Sequence, residues 1–224
     1  MDLTKSLEYF NPSNIKGRVH IIGCGSVGST IAEQLTRLGV TRFVLYDFDK
    51  VEPHNIANQM FVNSDIGSLK VDAVKNRILS INPDIPESNI KLVDTGWNGQ
   101  KLSGYVFLAV DSVKLRREIA EKFKDNRCVT AMFDFRTGLE DAQHYAADWS
   151  NEDSIHNFIS SMDFTDDEAD EATPKSACGG VLGVNPTVHC IVSYGVANFV
   201  NFINKKTLHS FVIVNPFSGQ LTVY

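Results

Sequence analysis

The sequence predicts an α/β fold, in which a doubly wound, mostly parallel, Rossmann-like sheet carries a long crossover loop and a C-terminal β-hairpin. A glycine pattern follows an apolar strand and opens a helix, and strands alternate with helices over residues 18–110. Two apolar runs flank a turn-forming segment near the C-terminus. The 224 residues fit a single domain with length to spare for one long loop.

The first strand and the glycine turn predict a nucleotide site. Residues 19–22 form an apolar run, and Gly23-Cys24-Gly25-Ser26-Val27-Gly28 follows it directly. Gly23 permits a tight turn out of the strand, and Gly25 lets the backbone approach a phosphate closely. Gly28 lets the next helix pack against the strand. A phosphate-bearing ligand is therefore expected at the helix N-terminus.

The second βα step strengthens that expectation. The helix is predicted over residues 26–38 with Gly39 as its stop, because its apolar residues share one face: Ile31, Ala32, Leu35 and Leu38. A second strand over residues 43–46 ends at Asp47, about 20 residues beyond the glycines, where a ribose hydroxyl needs an acceptor. Asp49 completes an acidic pair there.

The remaining elements continue the alternation. Helices are predicted over 67–79 (ended by Asn82-Pro83) and 113–123, and strands over 90–93, 105–110, 128–133 and 143–147.

The C-terminal part breaks this pattern. Residues 149–180 are expected to form a crossover loop with a short helix over 154–159 and six acids between residues 163 and 171. A loop of this length is usually functional, although a solvated acidic surface is an equally physical interpretation. An interrupted apolar helix over 188–203 favours burial over membrane insertion, and strands over 211–214 and 221–224 predict the terminal hairpin.

Composition excludes several classes of protein. A net charge of −6 without a basic stripe argues against nucleic acid as a partner, and no membrane interaction is expected. Residues 1–17 predict a partly ordered arm without the apolar segment of a secretory signal peptide. The four cysteines are widely spaced, which argues against a structural zinc site and favours a reducing cytoplasm: Cys24, Cys128, Cys178 and Cys190.

Two further charged residues suggest phosphate chemistry. Asp111 follows a buried strand at the open edge of the sheet, where a carboxylate can hold Mg²⁺ beside a triphosphate or cap the next helix. Lys70 opens a helix with a conventional apolar face and could reach phosphate as a point charge. Hydride transfer needs neither group, which argues against a nicotinamide-dependent oxidoreductase.

Together these motifs resemble the ThiF/MoeB adenylyltransferase family, the fold of ubiquitin-activating-type enzymes. Order and spacing agree over about residues 18–120, and the later loop, helix and hairpin fit more loosely. The matching residues are Gly23-x-Gly25-x-x-Gly28, Asp47-Phe48-Asp49-x-Val51, Asn55-x-x-x-Gln59, Asp65-x-Gly67-x-x-Lys70, Ile81-Asn82-Pro83 and Val110-Asp111-Ser112 followed by Arg116-Arg117.

The resemblance implies a homodimeric enzyme that uses ATP and Mg²⁺ to join AMP to the C-terminal carboxylate of a small ubiquitin-like or sulfur-carrier protein. It implies that Asp47 and Asp49 lie at the ribose and that the glycine loop and Gln59 form part of the nucleotide site. It further implies that Asn55 contacts the phosphates, Lys70 neutralises them and Asp111 coordinates Mg²⁺.

Two features leave alternatives open. Asn58 stands before Gln59 where the family usually has Arg, and residues 1–16 hold no recognisable Arg-rich element, so a catalytically weakened nucleotide- or partner-binding scaffold is the alternative function. Arg18 or Lys50 could compensate. Cys178, at the end of the crossover loop, is either a nucleophile for the activated protein or a small buried residue, and the latter is favoured.

Overall fold

The chain builds one eight-stranded sheet with helices on both faces. The computed structural model describes residues 1–172 and 182–224. The strand order is β3-β2-β1-β4-β5-β6-β7-β8. The strands are β1 (Val19–Ile22), β2 (Phe43–Tyr46), β3 (Ile90–Val93), β4 (Gly104–Leu108), β5 (Val129–Thr137), β6 (Ala142–Asp148), β7 (Phe211–Asn215) and β8 (Gln220–Val223).

The first five strands are parallel and the last three join antiparallel, which confirms the predicted mixed sheet. Strands β1, β2 and β4 are buried along their whole length, as expected where helices cover both faces. The chain runs outward from β1 through β2 to β3 and then returns to place β4 on the other side of β1. The carboxyl ends of β1 and β4 therefore form the switch point at which α/β sheets bind ligands.

The described residues form six α-helices: α1 (Ser26–Arg37), α2 (Lys70–Ile81), α3 (Val113–Phe123), α4 (Glu152–Ser160), α5 (Asp166–Ala172) and α6 (Asn185–Ile203). Apolar residues of α1, α2 and α6 share one buried cluster with the sheet, and those of α3 and α4 share the other. The two clusters confirm the doubly wound arrangement. No helix within the described ranges is long and apolar enough to cross a membrane.

Turn chemistry sets several boundaries. Gly39 adopts a φ of 90° and donates to the Thr36 carbonyl, while Val40 donates to the Leu35 carbonyl, so α1 ends in the predicted glycine stop. The expectation that α2 begins at residue 67 is wrong, because Gly67 has a φ of 90° and Leu69 is extended.

Strand β5 continues to Thr137, four residues beyond the predicted end, because β6 pairs with its extension. The terminal hairpin is confirmed, with the Asn215 side chain accepting from the backbone of Phe217 and Ser218. Within residues 1–17, the Phe10 side chain is buried.

Candidate functional site

The glycine loop is shaped by backbone contacts at two of its three glycines. Gly23 has a φ of 92°, and a Cβ there would lie 2.5 Å from the Ala109 carbonyl oxygen. A Cβ on Gly28 would lie 1.8 Å from the Gly23 oxygen, so only glycine allows α1 to sit this close to the turn. A Cβ on Gly25 would meet nothing nearer than Gln59 Oε1, at 4.0 Å. The packing of the described residues leaves open space beside Gly25, as a closely bound ligand requires.

Asp47 joins the end of β2 to the glycine loop. Its Oδ2 accepts from the Cys24 N–H at 2.7 Å, and its Oδ1 accepts from the Asp49 N–H at 2.8 Å. Burial raises the pKa of Asp47 above its ordinary value, and these two backbone hydrogen bonds oppose the shift. A carboxylate offers about four lone-pair positions, so two remain for the hydroxyls of a ribose.

Lys70 lies at the acidic pair. Its ammonium donates to Asp49 Oδ2 at 2.8 Å, and its backbone N–H donates to the Asp49 carbonyl at 2.9 Å. The lysine side chain is only 11% exposed, whereas that of Asp49 is 50% exposed. An ammonium carries three N–H donors, so Lys70 can hold Asp49 and still bind a phosphate.

Asn55 and Gln59 lie on and after a short 3-10 helix, Pro53–Ala57. The side chain of Asn55 is buried, and its Oδ1 accepts the Glu52 N–H at 2.9 Å. Its Nδ2 takes no part in this contact. Gln59 Oε1 is buried and has no hydrogen-bond donor among the described residues. Because an unsatisfied buried acceptor is costly, this oxygen beside Gly25 is suited to a ligand hydroxyl or amide.

Asp111 lies exposed after β4, and its Oδ1 accepts the Ser112 N–H at 2.9 Å. The alternative that Asp111 caps α3 is wrong, because Ser112 is the N-cap and its hydroxyl accepts the Leu115 N–H at 3.1 Å. Within residues 1–172 and 182–224, no cluster of three or more His, Cys, Asp or Glu could hold a metal by itself. One carboxylate is nevertheless a suitable donor set for Mg²⁺ that also binds phosphates.

A cavity of about 630 Å³ opens beside the end of the glycine loop, and its lining does not include Asp47, Asp49, Asn55, Gln59 or Lys70. It extends from Ser26 and Val27 at the start of α1, past Asp111, to the β5–β6 turn, and Phe164 of the crossover segment lines its far side. The glycine loop and Asp111 thus open into one space at the switch point.

A buried ion network behind the cavity was missed by sequence reasoning. Arg116 donates to the carboxylate of Asp134 and to the carbonyls of Val110 and Phe135. Arg136 donates from Nε to the other Asp134 oxygen at 2.7 Å. Asp134 is fully buried, and a lone acid inside the apolar strand β5 is the sequence feature that could have revealed it.

Three other predictions concern residues away from these contacts. Arg18 donates to the Asn89 carbonyl at the amino end of β1, on the opposite edge of the sheet, so its predicted compensation for Asn58 is wrong. Lys50 is exposed and forms an isolated bridge with Leu69. Cys178 lies outside the described residues.

Comparison with known proteins gives a consistent set of matches. The family model described as the ThiF family matches residues 15–218. Ubiquitin-like modifier-activating enzyme 5 of Caenorhabditis elegans is 39% identical over 67 residues, which is 30% of this chain and 16% of the relative. The Arabidopsis thaliana enzyme of the same name is 45% identical over 67 residues, with the same coverage.

The solved structures show the same fold. E. coli MccB crystallised with ATP matches with a TM-score of 0.70 at 15% identity, over 95% of this chain and 65% of that one. PaaA matches with a TM-score of 0.70 at 18% identity and the same coverage. The alignments therefore span only about a sixth of the curated relatives and less than two thirds of the structural neighbours.

Proposed function

The chain belongs to the ThiF family, and from that premise we propose that it transfers AMP from ATP to the C-terminal carboxylate of a small ubiquitin-like or sulfur-carrier protein. The names of its relatives, which are ubiquitin-like modifier-activating enzymes, support activation of this class of partner. The observation that carries the proposal is the cavity lined both by the end of the glycine loop and by Asp111. A nucleotide and the C-terminal carboxylate of the carrier could bind side by side in it.

The chemistry sets what the residues must do. A carboxylate oxygen of the carrier forms a bond to the α-phosphorus, the bond from that phosphorus to the bridging oxygen breaks, and pyrophosphate leaves. Both reactants are anions, so catalysis depends on positioning and on neutralising charge. The N-terminus of α1 and the ammonium of Lys70 supply positive potential at the phosphates. Asp47 fixes the ribose.

Mg²⁺ fits this donor set. Asp111 would hold the ion together with the phosphates, and the ion would neutralise triphosphate charge when bound. Asp111 is exposed, and Ser112 rather than Asp111 caps α3. Both observations support this assignment.

A weakened scaffold is the second candidate function, and Asn58 is the observation that favours it. The Asn58 amide nitrogen lies 3.6 Å from where a Cβ on Gly183 would stand. The guanidinium groups of Arg116 and Arg136, which line the cavity, are paired with buried Asp134, so they are not free to replace an arginine at position 58.

Pyrophosphate exchange into ATP distinguishes the two functions. The substrate is a small carrier that ends in Gly-Gly, and the control is the same carrier lacking its last two residues. Carrier-dependent exchange that Asn58→Arg accelerates indicates a weakened enzyme, because a guanidinium can bridge phosphate oxygens and an amide cannot. ATP binding without exchange in either form supports the scaffold. Strong wild-type exchange that Asn58→Arg reduces shows that another cation already acts there.

We further propose that the protein is a cytoplasmic homodimer without nucleic-acid or membrane partners. The free thiols of Cys24, Cys128 and Cys190 support a reducing compartment. Family membership supports the dimer, whereas α6 offers it little free apolar surface, because most apolar residues of that helix are buried within this chain. Whether Cys178 acts as a nucleophile stays a prediction.

A further inference from the structure

Helix α3 begins directly after Asp111, yet its first N–H groups are satisfied by other residues. The Val113 N–H donates to Asp166 Oδ1 at 2.5 Å, and the Lys114 N–H donates to the same oxygen at 3.2 Å. The Leu115 N–H donates to the Ser112 hydroxyl, which itself donates to Asp166 Oδ2 at 3.1 Å. Asp166 therefore caps a helix that lies more than fifty residues before it in the chain.

The position of Asp166 is fixed independently of that contact. Thr165 and Glu168 exchange hydrogen bonds in a capping box that starts α5 at Asp166. Upstream, Arg117 donates to the Met162 carbonyl and to the Asp163 carboxylate. The crossover segment thus carries its carboxylate to α3 on a locally ordered support.

Because Asp166 caps α3, the Asp111 carboxylate is not needed as a helix cap. Aspartate is a preferred helix cap, and Asp111 is the nearest carboxylate in sequence to the α3 N-terminus. In the described part of the chain, however, Asp111 accepts only from Ser112, and its Oδ2 receives no hydrogen bond. Desolvation is the largest single effect on the Asp166 carboxyl and opposes the shift, but the hydrogen bonds from Lys114, Ser112 and Val113 together lower the pKa of Asp166 below its ordinary value, as expected for a carboxylate at a helix N-terminus.

We propose that Asp166 is a positioning residue that caps α3 in place of Asp111 and thereby keeps the Asp111 carboxylate available to Mg²⁺. The inference rests on the metal role proposed for Asp111. Without Asp166, the N–H groups of Val113 and Lys114 lack acceptors, and the Asp111 side chain can turn to them. The ion must then compete with the helix for Asp111. A cap is worth about 1 kcal/mol, which corresponds to about a fivefold loss of metal-dependent affinity.

The test measures ATP binding by calorimetry in excess Mg²⁺ and again in EDTA. The ratio of the two dissociation constants isolates the contribution of the metal. Asp166→Ala should reduce this ratio about fivefold and leave ATP binding in EDTA unchanged. A general loss of structure would instead weaken ATP binding both with Mg²⁺ and in EDTA. Asp166→Asn should retain most of the ratio, since asparagine also caps helices.

Asp167→Ala is the matched control, because it removes the same charge from the next, exposed position of α5. It should leave the ratio unchanged. Asp111→Ala should bring the ratio of the two dissociation constants close to one. Adding Asp166→Ala to that variant should not change the ratio further. If Asp111→Ala lowers the ratio but Asp166→Ala does not, the inference fails while the metal assignment stands. If Asp111→Ala has no effect, both fail.

Discussion

Replacing Gly28 by alanine tests whether the glycine loop is held by packing. The added Cβ would lie 1.8 Å from the Gly23 oxygen and 3.1 Å from Ile21 Cγ2. A carbon and a carbonyl oxygen normally stay about 3.3 Å apart, so α1 or the turn must move by roughly 1.5 Å. The position of the added Cβ is fixed by the backbone of α1, and the Gly23 oxygen belongs to the backbone of the turn. No flexible side chain can therefore move to relieve the clash.

Overpacking of this kind costs about 3 kcal/mol. With a urea dependence of about 2 kcal/mol/M, the unfolding midpoint should fall by about 1.5 M. The melting temperature should fall by about 9 °C for a chain of this size. Circular dichroism during urea titration measures the midpoint directly.

Gly25→Ala is the matched control. Its Cβ meets only Gln59 Oε1, at 4.0 Å, so its urea midpoint should fall by far less than that of Gly28→Ala. ATP affinity should fall in both variants, because the loop moves in one and the phosphate approach is blocked in the other. A wild-type midpoint for Gly28→Ala would refute the steric reasoning, and unchanged ATP affinity in Gly25→Ala would remove the loop from the site.

Three other outcomes are expected. Asp47→Ala should weaken ATP binding at least about tenfold by calorimetry, since a charge-assisted hydrogen bond is worth about 1.5–3 kcal/mol; unchanged affinity would remove Asp47 from the site. Burial lowers the pKa of His144 from 6.5 to about 4, so the unfolded chain binds protons that the folded chain refuses, and stability should fall as pH drops from about 6.5 to 4. His144→Gln should reduce that dependence in urea titrations, and His20, whose pKa burial also lowers to about 4, should account for part of the remainder; a slope unchanged by His144→Gln would contradict the prediction. Light scattering at micromolar concentration should show a dimer, and a monomer would exclude it.

The sequence predicts the parts of the fold whose causes are local. Gly23 and Gly39 are needed for positive φ, and the turn between β7 and β8 is specified by its own side chains, so each can be inferred from a few residues. The parallel pairing of β1 with β2 follows from the helix between them. A predicted boundary is displaced where a glycine adopts a turn conformation, as Gly67 does three residues before the start of α2.

The parts that sequence reasoning missed depend on contacts between distant segments. Arg116 and Asp134 are 18 residues apart, and Val113 and Asp166 are 53 apart. Arg116 and Asp166 each resemble an ordinary surface charge in the sequence, and only their partners in the fold show otherwise. The assignment of Ser112 rather than Asp111 as the cap also depends on which carboxylate arrives from the crossover segment, and spacing within α3 does not show this.

The pairing of charges at the site is compatible with the proposed triphosphate ligand, despite the three acids there. Asp49 and Lys70 neutralise one another, and the carboxylate of Asp47 is directed by two backbone N–H groups at the end of β2, where a ribose would lie. Under the proposed function, Asp111 would be the acid that faces the phosphates, and a divalent cation would convert its repulsion into attraction. With asparagine at position 58, less fixed positive charge would reach the α-phosphate. The metal, and therefore the residues that keep Asp111 free to bind it, would carry correspondingly more of the neutralisation that transfer requires.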